Sequence, residues 1–158
     1  MASINNEENE IINAKFKKAS VDELLIIKKL IIDVKSHKGL YHDVVMHGQN
    51  LYNSKNNIIE KTGLSEKISG YLATILWSIT KPEVEAARRL KIKITEATWV
   101  FEDFLCKHPS HRNLNGKKYS IRKGIRIGFF KRIHPGQLVG CGCLSSPIIP
   151  GLTKKPRQ

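Results

Sequence analysis

The final third of this sequence has no acidic residue. The last carboxylate is Asp103, and residues 104–158 hold 12 Lys and Arg against 0 Asp and Glu. Residues 1–103 are close to neutral, with 15 cations and 14 acids. The net charge of +13 therefore lies almost entirely in the last third. Because ordinary protein surfaces mix both signs of charge, this segregation predicts a polyanionic partner.

Long apolar runs are also absent. No stretch of about 18 uncharged apolar residues occurs, so we predict no transmembrane helix. The sequence starts with the polar, acidic segment MASINNEENE, which argues against a secretory signal. There are only 3 cysteines, and this odd, low number favours a reducing compartment. We therefore expect a cytoplasmic protein, with the nucleus as a further location.

The common sequence signatures of catalysis are missing. The chain has no phosphate-binding loop, no dinucleotide fingerprint and no nucleophile elbow. Cys106 has a histidine and Asp103 nearby, but a catalytic triad is defined by geometry and not by closeness in sequence. His42 and His47 have the wrong spacing for two metal ligands on one helix face. We expect a protein that is not an enzyme.

The first two thirds of the chain predict helices. Ser20 and Glu23 have the spacing of a capping box, and the isoleucine-rich run after them is typical of one long helix that Gly39 ends. Further helices are predicted within 40–53 and 57–79, from Thr80 or Lys81 onward with Pro82 in the first turn, and from Thr95 to Leu105. The fold class is therefore mainly α, with a bundle of about five or six helices over residues 11–106 after a flexible N-terminus at 1–10.

Glycine and proline recur after Cys106 and break any long helix. Within this segment five apolar residues alternate with polar or small ones: Tyr119, Ile121, Ile125, Ile127 and Phe129. The alternation predicts a short β-hairpin that turns near residues 122–124 and carries all five on one face. We divide this part of the chain into a basic module at residues 107–143 and an extended basic tail at 144–158.

The basic module has the residue types of a nucleic-acid surface. Lys and Arg replace the counterions condensed on phosphates, and aromatic rings stack on unpaired bases. The predicted phosphate contacts are Lys117, Lys118, Arg122, Lys123, Arg126, Lys131 and Arg132, and the predicted stacking residues are Tyr119, Phe129 and Phe130. RNA is favoured over DNA because aromatics are interleaved with the cations and no major-groove reading module is recognisable. The alternatives are an anionic membrane, an acidic protein surface, or a solvated cationic face with core aromatics.

All three cysteines lie in or beside this module, together with three of the histidines. Zn²⁺ takes four Cys or His ligands, and a glycine-rich segment with little core gains most from such an ion. Cys106, His111, Cys141 and Cys143 would join the start of the segment to its end around one structural zinc. The alternative is three free thiols, because Cys-x-Cys is not a standard finger spacing.

The sequence TKKPRQ has the short basic pattern of a nuclear-import signal, whose cations are Lys154, Lys155 and Arg157. Its alternative is a solubilising tail. A helical front followed by a cationic, cysteine-containing region is similar in layout to small basic accessory proteins of RNA viruses, some of which suppress RNA silencing or enter the nucleus. The likeness is one of layout and composition, and the paired-cysteine finger that such proteins often carry is absent here. It implies an RNA-binding accessory protein.

A second class of function fits the same sequence. The apolar helix at 21–37 and the segment from Tyr71 to Trp77 could form a partner-binding groove or the face of a homo-oligomer. In that case the chain is a helical protein-interaction module. Its basic tail would then serve localisation, through an import receptor or an anionic membrane surface.

Overall fold

The computed structural model describes residues 2–46 and 50–152. It divides into two compact units, Met1–Lys81 and Pro82–Gln158. The described chain is about half helical, with six helices, one of them a 3₁₀ helix, and a small antiparallel sheet. The prediction of a mainly helical chain with some β structure is therefore confirmed at this coarse level.

The first unit consists of helices. They are α1 Asn6–Lys15, α2 Val21–Lys35, α3 Tyr41–Met46, α4 Leu51–Thr62 and the first part of α5 Glu66–Lys91. Capping boxes start two of them, since Asn5 and Glu8 exchange hydrogen bonds at α1 and Ser20 and Glu23 do so at α2. Gly63 ends α4 in the left-handed conformation, with φ of 72°.

The core of the first unit is aliphatic, with Ile12, Ile31 and Leu76 fully buried. Glu8 of α1 is buried as well and forms an ion pair with Lys35 of α2. A buried carboxylate needs such a partner because an uncompensated charge in the interior is strongly destabilising. The pair therefore fixes α1 against α2.

The helix boundaries differ from the prediction in three places. Residues 6–10, expected to be frayed, belong to α1, and the polar stretch 53–57, expected to be a break, lies within α4. The third difference is that α5 continues through Pro82. The Thr80 hydroxyl donates to carbonyl oxygens in the turn before this proline, at 3.0 Å from Leu76 and 2.9 Å from Trp77. Pro82 removes the N–H that would bond the Ser78 carbonyl, and the Thr80 hydroxyl bonds lie in the turn just before that point.

The second unit is built on a three-stranded antiparallel sheet. Its strands are β1 Glu96–Val100, β2 Lys118–Ser120 and β5 Leu144–Pro147, in the order β2-β1-β5. A 3₁₀ helix, Pro109–Leu114, lies in the connection between β1 and β2. Two further strands, β3 Ile125–Ile127 and β4 Lys131–Ile133, form a separate hairpin.

The predicted helix from Thr95 to Leu105 is wrong, because β1 occupies its first half. Ala97 and Trp99 are fully buried and Thr98 between them is half-buried, which is the two-residue period of a strand. The partners of this strand lie at 118–120 and 144–147. Pairing with such distant segments leaves no local signal in the sequence, so the aromatic residues alone suggested a helix.

The predicted hairpin is displaced along the chain. Its two expected arms are joined in the described structure by one bridge, Ser120 with Gly124, because β2 pairs with β1 instead. The hairpin that forms is β3–β4, which turns at residues 128–130. Tyr119, Ile121 and Ile125 are buried together, whereas Phe129 does not share their face and is exposed.

Candidate metal centre

Four potential metal ligands converge in the second unit from two separate connections. Cys106 and His111 follow β1, and Cys141 and Cys143 precede β5. Val100 pairs with Leu144, so the chain leaves β1 and enters β5 at the same end of the sheet. The ligand atoms of the four side chains all lie within 4.8 Å of one another. These residues, which the sequence predicted as a set, are therefore close enough to bind one metal ion.

The distances within this cluster fit a tetrahedral ion. The His111 Nδ1 atom lies 3.6 Å from the Cys106 Sγ, 3.3 Å from the Cys141 Sγ and 3.8 Å from the Cys143 Sγ. With Zn–S bonds near 2.3 Å and Zn–N bonds near 2.0 Å, tetrahedral angles separate sulfur from nitrogen by about 3.6 Å. The three measured distances bracket this value. Three sulfurs and one imidazole are also a donor set that zinc takes in structural sites.

Backbone hydrogen bonds hold the two connections together. The Lys107 N–H donates to the Gly140 carbonyl at 2.9 Å, which joins the two ligand-bearing segments directly. The Cys106 N–H donates to the Glu102 carbonyl at 2.8 Å. The Gly136 N–H lies 3.3 Å from the Cys141 Sγ and donates to that sulfur. The ligands are therefore positioned by main-chain contacts, as a preorganised site requires.

Gly142, between two of the ligands, is required by a close backbone contact. A Cβ atom at this position would lie 2.3 Å from the carbonyl carbon of Leu105, far inside van der Waals contact. Leu105 itself precedes Cys106, so the contact brings the two ligand segments together. The residue between the two cysteines is therefore a glycine for a steric reason.

The cluster is closed to solvent on most sides. Cys106, His111 and Cys143 are buried, and Cys141 is half-buried. The His108 ring stacks on the His111 ring with centroids 4.6 Å apart, and Trp99 meets His111 edge-on at 5.6 Å. Four protein ligands in a buried setting are typical of a structural metal site, whereas a catalytic zinc keeps a position open.

The three thiols differ in acidity. A hydrogen bond from Cys143, supported by His111 and the Gly136 N–H, lowers the pKa of Cys141 to about 4. The interaction with Cys141 in turn raises the pKa of Cys143, with burial adding to the rise. Burial raises the pKa of the Cys106 thiol. A divalent cation would offset the repulsion between further thiolates, as metal–thiolate sites do.

One buried donor lies beside the cluster. The Trp99 indole Nε1–H is buried and makes no hydrogen bond of normal geometry within the described residues. Its interaction with the Cys143 side chain lowers the pKa of that thiol, against the larger opposing effect of Cys141. A metal-bound thiolate at Cys143 would give this N–H an acceptor, so the donor set fits a metal.

The remaining histidines of the segment have structural contacts. His108 is buried, and its Nε2 lies 2.6 Å from the Val139 carbonyl oxygen. The Nε2 of His134 lies 2.8 Å from the Ile121 carbonyl oxygen. Both rings therefore fix loop backbone in place.

The predicted phosphate-contact residues lie at the surface of the second unit. Six of them are exposed and Lys131 is half-buried: the exposed residues are Lys117, Lys118, Arg122, Lys123, Arg126 and Arg132. Within residues 2–46 and 50–152, none of the seven forms an ion pair with a carboxylate. Their charges are therefore available to an external anion.

The predicted stacking residues divide into two groups. Phe129 is 82% exposed and Phe130 is 100% exposed, so both rings are accessible. Tyr119 is buried against Trp99, with ring centroids 6.1 Å apart, and its hydroxyl bonds the Ser145 hydroxyl. Its assignment as a stacking residue is wrong, because the alternating pattern directs this side chain into the core.

Sequence reasoning missed the residues that support the cluster. Trp99 was assigned to a helix, and Gly142 had no role, although a glycine between two cysteines could have signalled a close backbone approach. The predicted import residues Lys154, Lys155 and Arg157 lie outside the described residues. Among the described helices, none has the length and apolar character needed to span a bilayer.

Comparison with protein-family models, with curated proteins and with solved structures finds no match for this chain. The interpretation therefore depends on the chain's own geometry and charge. What these establish is a mostly buried cluster of three cysteines and a histidine at one end of a sheet, and seven surface cations of the same unit that pair with no carboxylate among the described residues.

Proposed function

We propose that this protein binds nucleic acid, with RNA preferred over DNA, through a zinc-stabilised basic module in its second unit. The observation that carries the proposal is the set of seven cations, Lys117 to Arg132, that meet no carboxylate among the described residues. Surfaces normally mix charges of both signs, so an unneutralised cationic face implies an anionic ligand.

Zinc has a structural role in this proposal. Two ligands lie in the connection that follows β1 and two in the connection that precedes β5. One ion would therefore join both connections at the same end of the sheet. Bound zinc supplies charge to hold three thiolates and one imidazole together, and it supplies no reaction chemistry when all four positions are taken by protein. The cluster thus supports the fold that presents the cations.

The salt dependence of binding tests the nucleic-acid part of the proposal. On a single strand each neutralised phosphate contributes about 0.7 to the slope of log affinity against log salt. We expect alanine at five cations to lower that slope by roughly 3.5, because five contacts are removed. The substituted residues are Arg122, Lys123, Arg126, Lys131 and Arg132.

A matched control removes the same charge elsewhere. Five lysines of the first unit, none of them in an ion pair among the described residues, are changed to alanine: Lys17, Lys18, Lys28, Lys38 and Lys67. This variant should keep the wild-type slope if binding is local to the module. Equal slopes for both variants would remove the proposal, and so would wild-type protein that does not bind RNA at all.

The first unit offers one observation for the second candidate function, protein interaction. Val21 and Leu25 lie one turn apart on α2, and they are 75% and 63% exposed. Adjacent exposed aliphatic side chains on one helix face are a common feature of partner surfaces. Changing both to lysine should abolish a complex formed by this face and leave RNA binding unchanged. If the complex is a homo-oligomer, size-exclusion chromatography with light scattering should show the wild type as an oligomer and the variant as a monomer.

A further inference from the structure

The β3–β4 hairpin presents two aromatic rings at its tip. The strands pair in register, with Ile125 opposite Ile133 and Ile127 opposite Lys131, and the chain reverses at residues 128–130. Two of these three turn residues are Phe129 and Phe130, the most exposed aromatic residues of the hairpin. Because the two exposed phenyl rings are adjacent, they form a small apolar surface at the turn that is accessible to a ligand.

The base of this hairpin is fixed. Ile125 and Ile133 are buried in the core of the second unit. Gly124 precedes the first strand with φ of 74°, and a Cβ there would lie 2.5 Å from the Ile133 carbonyl oxygen. The Arg132 guanidinium donates to the Gly124 carbonyl at 3.2 Å. The base of the hairpin is therefore packed in the core, and its tip at residues 128–130 extends away from these contacts.

Two arginines lie directly opposite each other on the outer face. Arg126 and Arg132 are register partners, and both are exposed. Like charges in directly opposite positions destabilise a strand pair. No carboxylate among the described residues pairs with either side chain. An anion bound to either guanidinium group would reduce this repulsion, and the forked guanidinium groups suit phosphate oxygens.

The loop orients its own rings. The Arg126 guanidinium donates to the Phe129 carbonyl oxygen, which ties the turn to the face that carries the arginine pair. The two phenyl rings have centroids 6.5 Å apart and are tilted by 43°. Since the rings do not stack on each other and are 82% and 100% exposed, their faces are open to solvent.

We propose that the hairpin Ile125–Ile133 is a binding finger for single-stranded nucleic acid. Arg126 and Arg132 bind backbone phosphates of the strand, and Phe129 and Phe130 stack on unpaired bases at the tip, next to Arg126. The inference rests on the proposed function and deepens it, because it selects a substrate with unstacked bases. A duplex keeps its base faces inside the stack and offers these rings nothing to cover.

The test compares a single-stranded RNA with the duplex formed from the same sequence, by fluorescence anisotropy at fixed salt. Replacing Phe129 and Phe130 with alanine should weaken single-strand binding at least about tenfold, given the usual strength of base–aromatic stacking. Duplex affinity should change less than about twofold, because phosphate contacts remain. The control is F104A, which removes another exposed ring of the same unit, 93% exposed, and should alter neither affinity.

A second variant tests the arginine pair. R126A/R132A should weaken both RNA forms and flatten the salt dependence by roughly 1.4 on the single strand, since two phosphate contacts at most are removed. In a W77F background, where Trp99 is the only tryptophan, its fluorescence reports the core of the second unit and should be the same with and without each of the three changes. This readout separates a binding defect from a folding defect.

The outcomes distinguish the finger from the wider proposal. If wild-type protein binds both RNA forms and the phenylalanine variant loses the same factor on each, or none, the stacking finger is overturned and the proposed function stands. If wild-type protein binds neither form, both fail. If the phenylalanine variant keeps its RNA affinity but no longer sediments with anionic phospholipid vesicles, the finger serves a membrane and the proposal is overturned.

Discussion

If the cluster binds zinc as proposed, loss of one ligand should destabilise the second unit by an amount that follows from chain length. Cys143→Ser keeps the size of the side chain but removes a soft ligand. Bridging Cys106 to Cys143 through a metal closes a loop of about 38 residues, and the loop-closure entropy for that length gives about 4 kcal/mol. For a unit of 77 residues, this corresponds to a midpoint about 15–30 °C lower.

The assay uses the two tryptophans of the chain. Trp77 lies in the first unit and Trp99 in the second, so W77F leaves Trp99 as the only fluorophore and a reporter of the sheet. Thermal unfolding is followed by Trp99 fluorescence, and metal content is measured on protein purified without chelator. We expect one zinc per W77F chain and none in W77F/C143S.

A chelator supplies the internal control. It should lower the W77F midpoint to that of W77F/C143S and leave the latter unchanged, because the variant has no complete site to empty. A W77F midpoint that chelator does not move, with less than about half an equivalent of zinc per chain, would refute the metal centre. The cluster would then be three packed thiols and a histidine.

Two further substitutions test the packing of the second unit, and Gly70 in the first unit supplies a control. G142A should lower the free energy of unfolding by about 1–3 kcal/mol or more, because the new Cβ would lie 2.3 Å from the Leu105 carbonyl carbon. G70A changes a helical glycine whose nearest contact would be 3.7 Å away, and it should raise the free energy of unfolding by about 0.5–1 kcal/mol. Urea denaturation measures both values, and a reversed order would contradict the steric argument. Y119F removes the hydroxyl bonded to Ser145 and should cost about 1 kcal/mol while RNA affinity stays the same, whereas weaker RNA binding at full stability would show that the ring is accessible after all.

The Cys/His cluster could be predicted from sequence because cysteine is rare in the chain. All three cysteines fall between residues 106 and 143, and zinc needs few other conditions beyond residue type and number. The capping boxes at the starts of α1 and α2 are equally local, since their partners lie three residues apart. The one at Ser20 was predicted and the one at Asn5 was overlooked.

The sheet could not be predicted in the same way. β1 is defined by pairing with β2 and β5, and nothing within residues 96–100 encodes those partners. The predicted hairpin was misplaced for the same reason. Tyr119 and Phe129 are both odd-numbered and so fit one alternating pattern, but Tyr119 lies in β2 and Phe129 lies in the turn between β3 and β4. Alternation fixes which side chains face the same way within one strand, and it fails when a turn separates them.

The position of the ligands along the chain has a consequence for the order of folding. The hairpin Ile125–Ile133 is synthesised before Cys141, Cys143 and β5, yet its buried side chains pack into a core that these later residues complete. A chain that stops before Cys141 has half of the ligand set and a central strand with one partner, so Ile125 and Ile133 stay uncovered. Distant pairings of this kind form late in folding. In the proposed zinc-bound protein, metal capture would then be the closing step of folding, and a chain truncated before Cys141 could not complete the site.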